Sequence, residues 1–186
     1  MRRLGKSIAV LSLIVLAIVV GSAQEWLKVN INFHLDAALK TQGYDMLNAE
    51  QREQAVNALR IDAPYDYYYN HTPISSLSGF DTGGLNRLKW LVTVFFVAVF
   101  FILNGGIIWL LYKSGKLLRW LLYLYVIFFM LSFLFYMTGI AIGEREHFYN
   151  IARKITGALQ SLVPLMLVVP AWWISREFMV TDNRTR

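Results

Sequence analysis

The chain has no cysteine, which excludes disulfides, thiolate metal sites and a cysteine nucleophile together. Charge is scarce as well. Of 186 residues, 16% are Asp, Glu, Lys or Arg while 56% are hydrophobic, and the mean hydropathy of +0.44 is too high for an ordinary soluble domain of this size. The scarcity is concentrated: Ser7 to Ala23, Trp90 to Tyr112, Trp120 to Ile142 and Ile155 to Ile174 contain no ionised side chain at all. Intramembrane carboxylates mark proton relays, because burying them is costly, so their absence argues against a proton-coupled transporter. The three histidines, His34, His71 and His147, are dispersed and lack the i, i+4 spacing of a helical metal site, so each is expected to play an ordinary surface role. There is no glycine-rich phosphate loop, nucleophile elbow or paired-carboxylate signature. These absences lead to a non-enzymatic reading, with no catalytic residue, no cofactor and no metal.

What is present is an all-α integral membrane protein with four expected transmembrane helices and a partly helical extracytoplasmic loop after the first. A helix needs about 20 apolar residues to cross a hydrocarbon core of about 30 Å. Two such runs flank the basic turn Lys113-Ser114-Gly115-Lys116-Leu117-Leu118-Arg119, and backbone amides in lipid must be satisfied within each segment, so the pair reads as a helical hairpin. Trp90, Trp109, Tyr112 and Trp120 stand near its boundaries, as in aromatic belts. Asn104, Gly105 and Gly106 interrupt the first arm. Small residues let helices approach closely and an amide bonds to a neighbouring helix, so the three are candidate helix-packing residues.

Arg2, Arg3 and Lys6 precede the first apolar run, which ends in Gly21-Ser22-Ala23. That pattern describes both an uncleaved signal anchor and a cleavable signal peptide; the anchor is the preferred reading. In the polar region that follows, Leu35, Ala38 and Leu39 suggest a helical turn or two before Gly43. Asn48 with Gln51 resembles a capping box, opening a short helix to about Arg60 with Val56 and Leu59 on one face. Ala63 to Pro73, with its tyrosine cluster, reads as an extended loop whose rings suit the water–lipid boundary, and Asn70-His71-Thr72 fits a glycosylation acceptor pattern.

The expected order is a cytoplasmic N-terminus at 1–6, a first span at 7–23, an extracytoplasmic loop at 24–88 and a second span at 89–112. A cytoplasmic turn at 113–119, a third span at 120–142, an outer loop at 143–154, a fourth span at 155–174 and a cytoplasmic tail at 175–186 complete it. Basic residues are densest before the first span, in the hairpin turn and after the last span, which favours N-in and C-in. The formal charge of +6 does not indicate nucleic acid, because the basic residues flank spans and form no stripe. Pro164 and Pro170 are expected to kink or divide the last run. Glu146, His147, Tyr149, Arg153 and Lys154, in the outer loop, are the candidate contacts to lipid head groups or to a partner membrane protein.

The second half combines the apolar span Trp120 to Phe129, Phe148-Tyr149 followed by Arg153-Lys154, and the closing run Pro164 to Trp173. In these features it resembles the small membrane proteins known as exosortase X-associated or exosortase F system-associated, found in Bacteroidota. Exosortases are membrane transpeptidases with a cysteine nucleophile, so a chain without cysteine is not the peptidase by that mechanism. The resemblance implies an accessory in the inner membrane of a Gram-negative bacterium, partnered by the bilayer and by an exosortase or its substrate. A small channel or transporter subunit is the alternative, motivated by Asn104-Gly105-Gly106 and the late prolines. A tetraspan adhesion-like protein ranks last, since it lacks the paired cysteines of such loops.

Overall fold

The computed structural model describes residues 2–62 and 74–182. They form six α-helices: α1 (Arg2–Lys40), α2 (Ala49–Asp62), α3 (Thr82–Tyr112), α4 (Gly115–Ile142), α5 (Arg145–Leu159) and α6 (Val163–Asp182). Short 3-10 turns lie at Tyr44–Met46 and Ser75–Gly79, and no strand occurs among the described residues. Three helices, over Gly5–Lys40, Thr82–Tyr112 and Gly115–Ile142, are long and apolar enough to cross a membrane. A bent pair, Glu146–Leu159 with Val163–Ser175, makes a fourth if counted as one broken span. The tyrosine cluster and the Asn70-His71-Thr72 triplet lie outside the described residues.

The chain divides into two compact units, Val20–Phe95 and the remainder. In Val20–Phe95, the first helix does not stop at Ala23 but runs on to Lys40. The reason is a stripe at helical spacing, Asn30, Phe33, His34 and Ala37, every member of which is buried. Phe33 and Ala37 join Tyr44, Val56 and Leu59 in one apolar cluster, so Val56 and Leu59 do share the buried face of α2. Gly43, at φ 74°, supplies the left-handed turn after α1. The capping box at the start of α2 is present in both directions: Gln51 N–H donates to Asn48 Oδ1 (2.9 Å) and Asn48 N–H donates to Gln51 Oε1 (3.1 Å). Asp81 caps α3 in one direction, accepting from Gly84 N–H at 2.7 Å, so the helix that holds the first arm of the hairpin begins at Thr82, ahead of the span expected from 89.

In the other unit the turn of the hairpin is shorter than the expected 113–119. Lys113 takes φ 50°, Ser114 caps α4 by accepting from Leu117 N–H, and the helix begins at Gly115. Gly143, at φ 86°, ends it. The larger difference lies beyond. Across the expected outer loop at 143–154 and span at 155–174 run α5, a single helix over that boundary, a break at 160–162 and a bend of 69° into α6. Pro164 falls in the first turn of α6, where its missing N–H costs nothing, and Pro170 sits inside α6. The division therefore falls ahead of both prolines. A core of Ile108, Leu117, Leu121, Tyr125, Leu159 and Val168 joins α3, α4, α5 and α6.

Candidate functional site

Breaking a helix among apolar residues strands backbone carbonyls, and each needs a donor. The break at 160–162 finds its donors on two neighbouring helices. Asn104, fully buried on α3, donates from Nδ2 to the Ser161 carbonyl (2.9 Å) and to Tyr125 Oη (3.0 Å), and Tyr125 on α4 donates its hydroxyl to the Leu159 carbonyl (2.9 Å). Asn104 Oδ1 has no partner among the described residues. Ser161 Oγ accepts from Val163 N–H (3.1 Å) and so caps α6. Asn104 is thus a clasp on the broken helix. Its glycine neighbours behave differently from each other. A Cβ added at Gly106 would meet Leu13 Cδ1 at 3.4 Å, a tight approach, whereas at Gly105 the nearest atom, Leu121 Cδ2, is 3.9 Å away.

Antiparallel to α4 and packed along it, α5 is amphipathic. Ser132 Oγ donates to the Ala152 carbonyl (2.9 Å) and shares a hydrogen bond with Thr156 Oγ1 (2.7 Å); the Phe135 and Phe148 rings lie 6.2 Å apart. A Cβ on Gly139 would come within 2.6 Å of Phe148 Cβ, so only glycine fits there. The opposite face is exposed. Helical spacing places Glu146, Asn150, Arg153 and Gly157 in one stripe with His147 and Lys154 along its edge, and all six are exposed. Tyr149, half-buried, stands to the other side of that stripe and does not belong to it.

Val20–Phe95 holds a second polar arrangement that the sequence did not reveal. Arg52 is buried and spends its guanidinium on backbone: Nε donates to the Tyr44 carbonyl (3.2 Å), Nη2 to that of Asp45 (2.9 Å) and Nη1 to that of Ser78 (3.5 Å). Its guanidinium carbon also sits 5.5 Å from the Tyr44 ring centre. Burial pushes the Tyr44 phenol above its ordinary value. Asp45 accepts from Thr82 Oγ1 (2.6 Å) and Thr82 N–H (2.8 Å), and these bonds hold its carboxyl below the usual carboxylate range. Asn30 accepts from Ile74 N–H (3.0 Å) and donates to the Trp26 carbonyl (2.9 Å).

His34 corrects the expectation of a surface histidine. It is 1% exposed, and neither ring nitrogen meets hydrogen-bond geometry with a described residue. Its position on the same helical face as Asn30, Phe33 and Ala37 was the available signal, hidden because two of the four are polar. Arg52 gave no signal of its own: between Gln51 and Glu53 it looks like part of a solvated face. His147 is exposed, as expected. Among the described residues no three His, Asp or Glu side chains gather in a way that would hold a metal ion.

Apolar helices of spanning length, with buried Asn104, Tyr125 and Ser132 bonded to backbone carbonyls on or beside α5, mark a membrane-embedded helical protein. No family model matches the chain, and no curated protein or solved structure is significantly similar to it.

Proposed function

We propose that this is a non-enzymatic accessory or scaffold protein of the inner membrane of a Gram-negative bacterium, assisting an exosortase-type protein-sorting system at the cell envelope. The observation that carries this reading is the division of labour on α5. The buried polar groups around it, Asn104, Tyr125 and Ser132, are engaged in joining helices, and the exposed polar groups form a single outward stripe. Inward polarity that fixes the protein's own helices, beside an outward charged stripe on α5, suits a protein that holds a partner. The link to sorting rests on the sequence likeness of Trp120 to Phe129, Phe148-Tyr149, Arg153-Lys154 and Pro164 to Trp173. The chain is oriented N-in and C-in, so the loop joining α4 to α5 faces away from the cytoplasm.

Affinity isolation from native membranes in a mild detergent tests the proposal. An integral membrane protein enriched in stoichiometric amount is the expected outcome, with an exosortase or its substrate as the partner. Isolation of the chain alone under several detergents overturns it. A reporter fused at Arg186 that is active only outside the cytoplasm overturns the orientation.

A further inference from the structure

The register of α5 against α4 fixes the depth of its charges. Phe148 lies beside Gly139, Ala152 and Thr156 bond to Ser132, and the Leu159 carbonyl receives the Tyr125 hydroxyl. Arg153 and Lys154 therefore stand level with Ser132. Measured from Trp120, beside the basic turn, Ser132 is about 18 Å along the axis of a helix crossing a core of about 30 Å. Both cations are exposed, on the face of α5 turned away from α4, and with Trp120 set at one boundary of the core that level falls inside the hydrocarbon region. Neither is matched by a carboxylate among the described residues. Glu146 and His147 sit a turn or two higher, level with the end of α4, where water reaches them. A long stem bends toward water but is shorter than the roughly 12 Å that separates the level of Ser132 from the far boundary of such a core. Charges so placed face protein or water, because facing lipid is costly.

From this we infer that the stripe of Asn150, Arg153 and Gly157, with Lys154 at its edge, is an intramembrane docking face for a transmembrane helix of another protein, one that carries an Asp or Glu within its apolar stretch. The inference rests on the scaffold reading and names the surface and the partner's chemistry. Charge complementarity selects the partner. A second copy of this chain inserts in the same orientation, so a two-fold axis along the membrane normal would set Arg153 against Arg153 and Lys154 against Lys154 at one depth, a repulsion little screened there. An acidic side chain on a different helix is matched by both cations. Gly157 lies on the same face, with nothing within 4 Å of where its Cβ would stand, and so leaves room for the close approach of a second backbone.

The test reconstitutes the full-length protein in phosphatidylcholine vesicles with a synthetic helix of about 22 Leu and Ala residues bearing one central Asp, or Leu in its place. The cysteine-free chain accepts a single donor dye at Lys116→Cys, away from the stripe, and the peptide carries the acceptor. The Asp peptide is expected to associate at least about tenfold more tightly than the Leu peptide. The double variant R153Q/K154Q removes the preference without loss of helicity, and Gly157→Leu weakens both peptides. Equal binding of the two peptides, or a preference that survives R153Q/K154Q, overturns the docking face. So does self-association or dye leakage that disappears in R153Q/K154Q, since those outcomes assign the stripe to a second copy or to a water path. A native partner that still co-purifies with R153Q/K154Q, with no Asp preference, defeats this inference alone. An Asp preference with no native partner defeats the scaffold reading alone.

Discussion

Two side chains solve the same problem in different ways. Arg52, in Val20–Phe95, and Asn104, in the helices beyond, each reach across the fold to carbonyls left over where the backbone is not regular helix. Arg52 is a cation with donors enough for three carbonyls, set among turns that bring polar backbone together. Asn104 is neutral, with two N–H donors, both used, and it recruits the Tyr125 hydroxyl to serve the further carbonyl. The difference follows from solvent. A charge is tolerated beneath turns that water reaches, whereas Asn104, packed among apolar helices, satisfies its two donors without one.

Removing the cation should therefore cost most. Arg52→Gln leaves carbonyls of Tyr44, Asp45 and Ser78 short of donors, and about 3 kcal/mol is expected, read as protease sensitivity confined to Val20–Phe95. A loss as small as at an exposed arginine would break the comparison. Next comes steric fit on the spanning side. Gly139→Ala sets a methyl against Phe148 Cβ and should cost about 2 kcal/mol in thermal unfolding in detergent. Phe148→Ala should not restore it, because the clash is with Cβ.

A milder loss, about 1 kcal/mol, is expected for Asn104→Leu, since hydrogen bonds between membrane helices are individually modest. If that variant proves worse than Arg52→Gln, the neutral clasp is the stronger of the two. The smallest effect is a pH dependence. Because the Thr82 bonds lower the Asp45 pKa in the folded chain, the carboxylate contributes stability above the ordinary carboxylate range, and that contribution is lost as pH falls through its depressed folded value. Asp45→Asn should flatten this acid limb of the stability profile, with a slight loss at neutral pH and almost no change at acid pH.

Much of the helical framework was legible. Uncharged runs of spanning length located the hairpin, and Asn48 with Gln51 located the start of α2, because both are local rules of length and capping. Two elements were not. The stripe of α1 beyond Ala23 includes Asn30 and His34, so counting apolar residues misses it. Helix α5 joins a charged stretch to an apolar one, so a boundary drawn where polarity changes cuts through a continuous helix. Among the candidate residues, Asn104 stood out as an amide in an apolar run. Tyr125, Leu159 and Ser161, which give it a task, are far from it in sequence and carry no mark of partnership.

The sequence by itself determined that the chain is helical and apolar enough for a membrane, because those properties follow from residue type summed over a window. It also determined that no thiol chemistry is available. Only the tertiary structure decided that the last apolar run is divided ahead of its prolines and that Arg52, flanked in the chain by Gln51 and Glu53, is buried. It likewise decided that Arg153 and Lys154 ride at the level of Ser132. Depth, burial and hydrogen-bond partners depend on which helix lies against which, and a window of residues contains no such term.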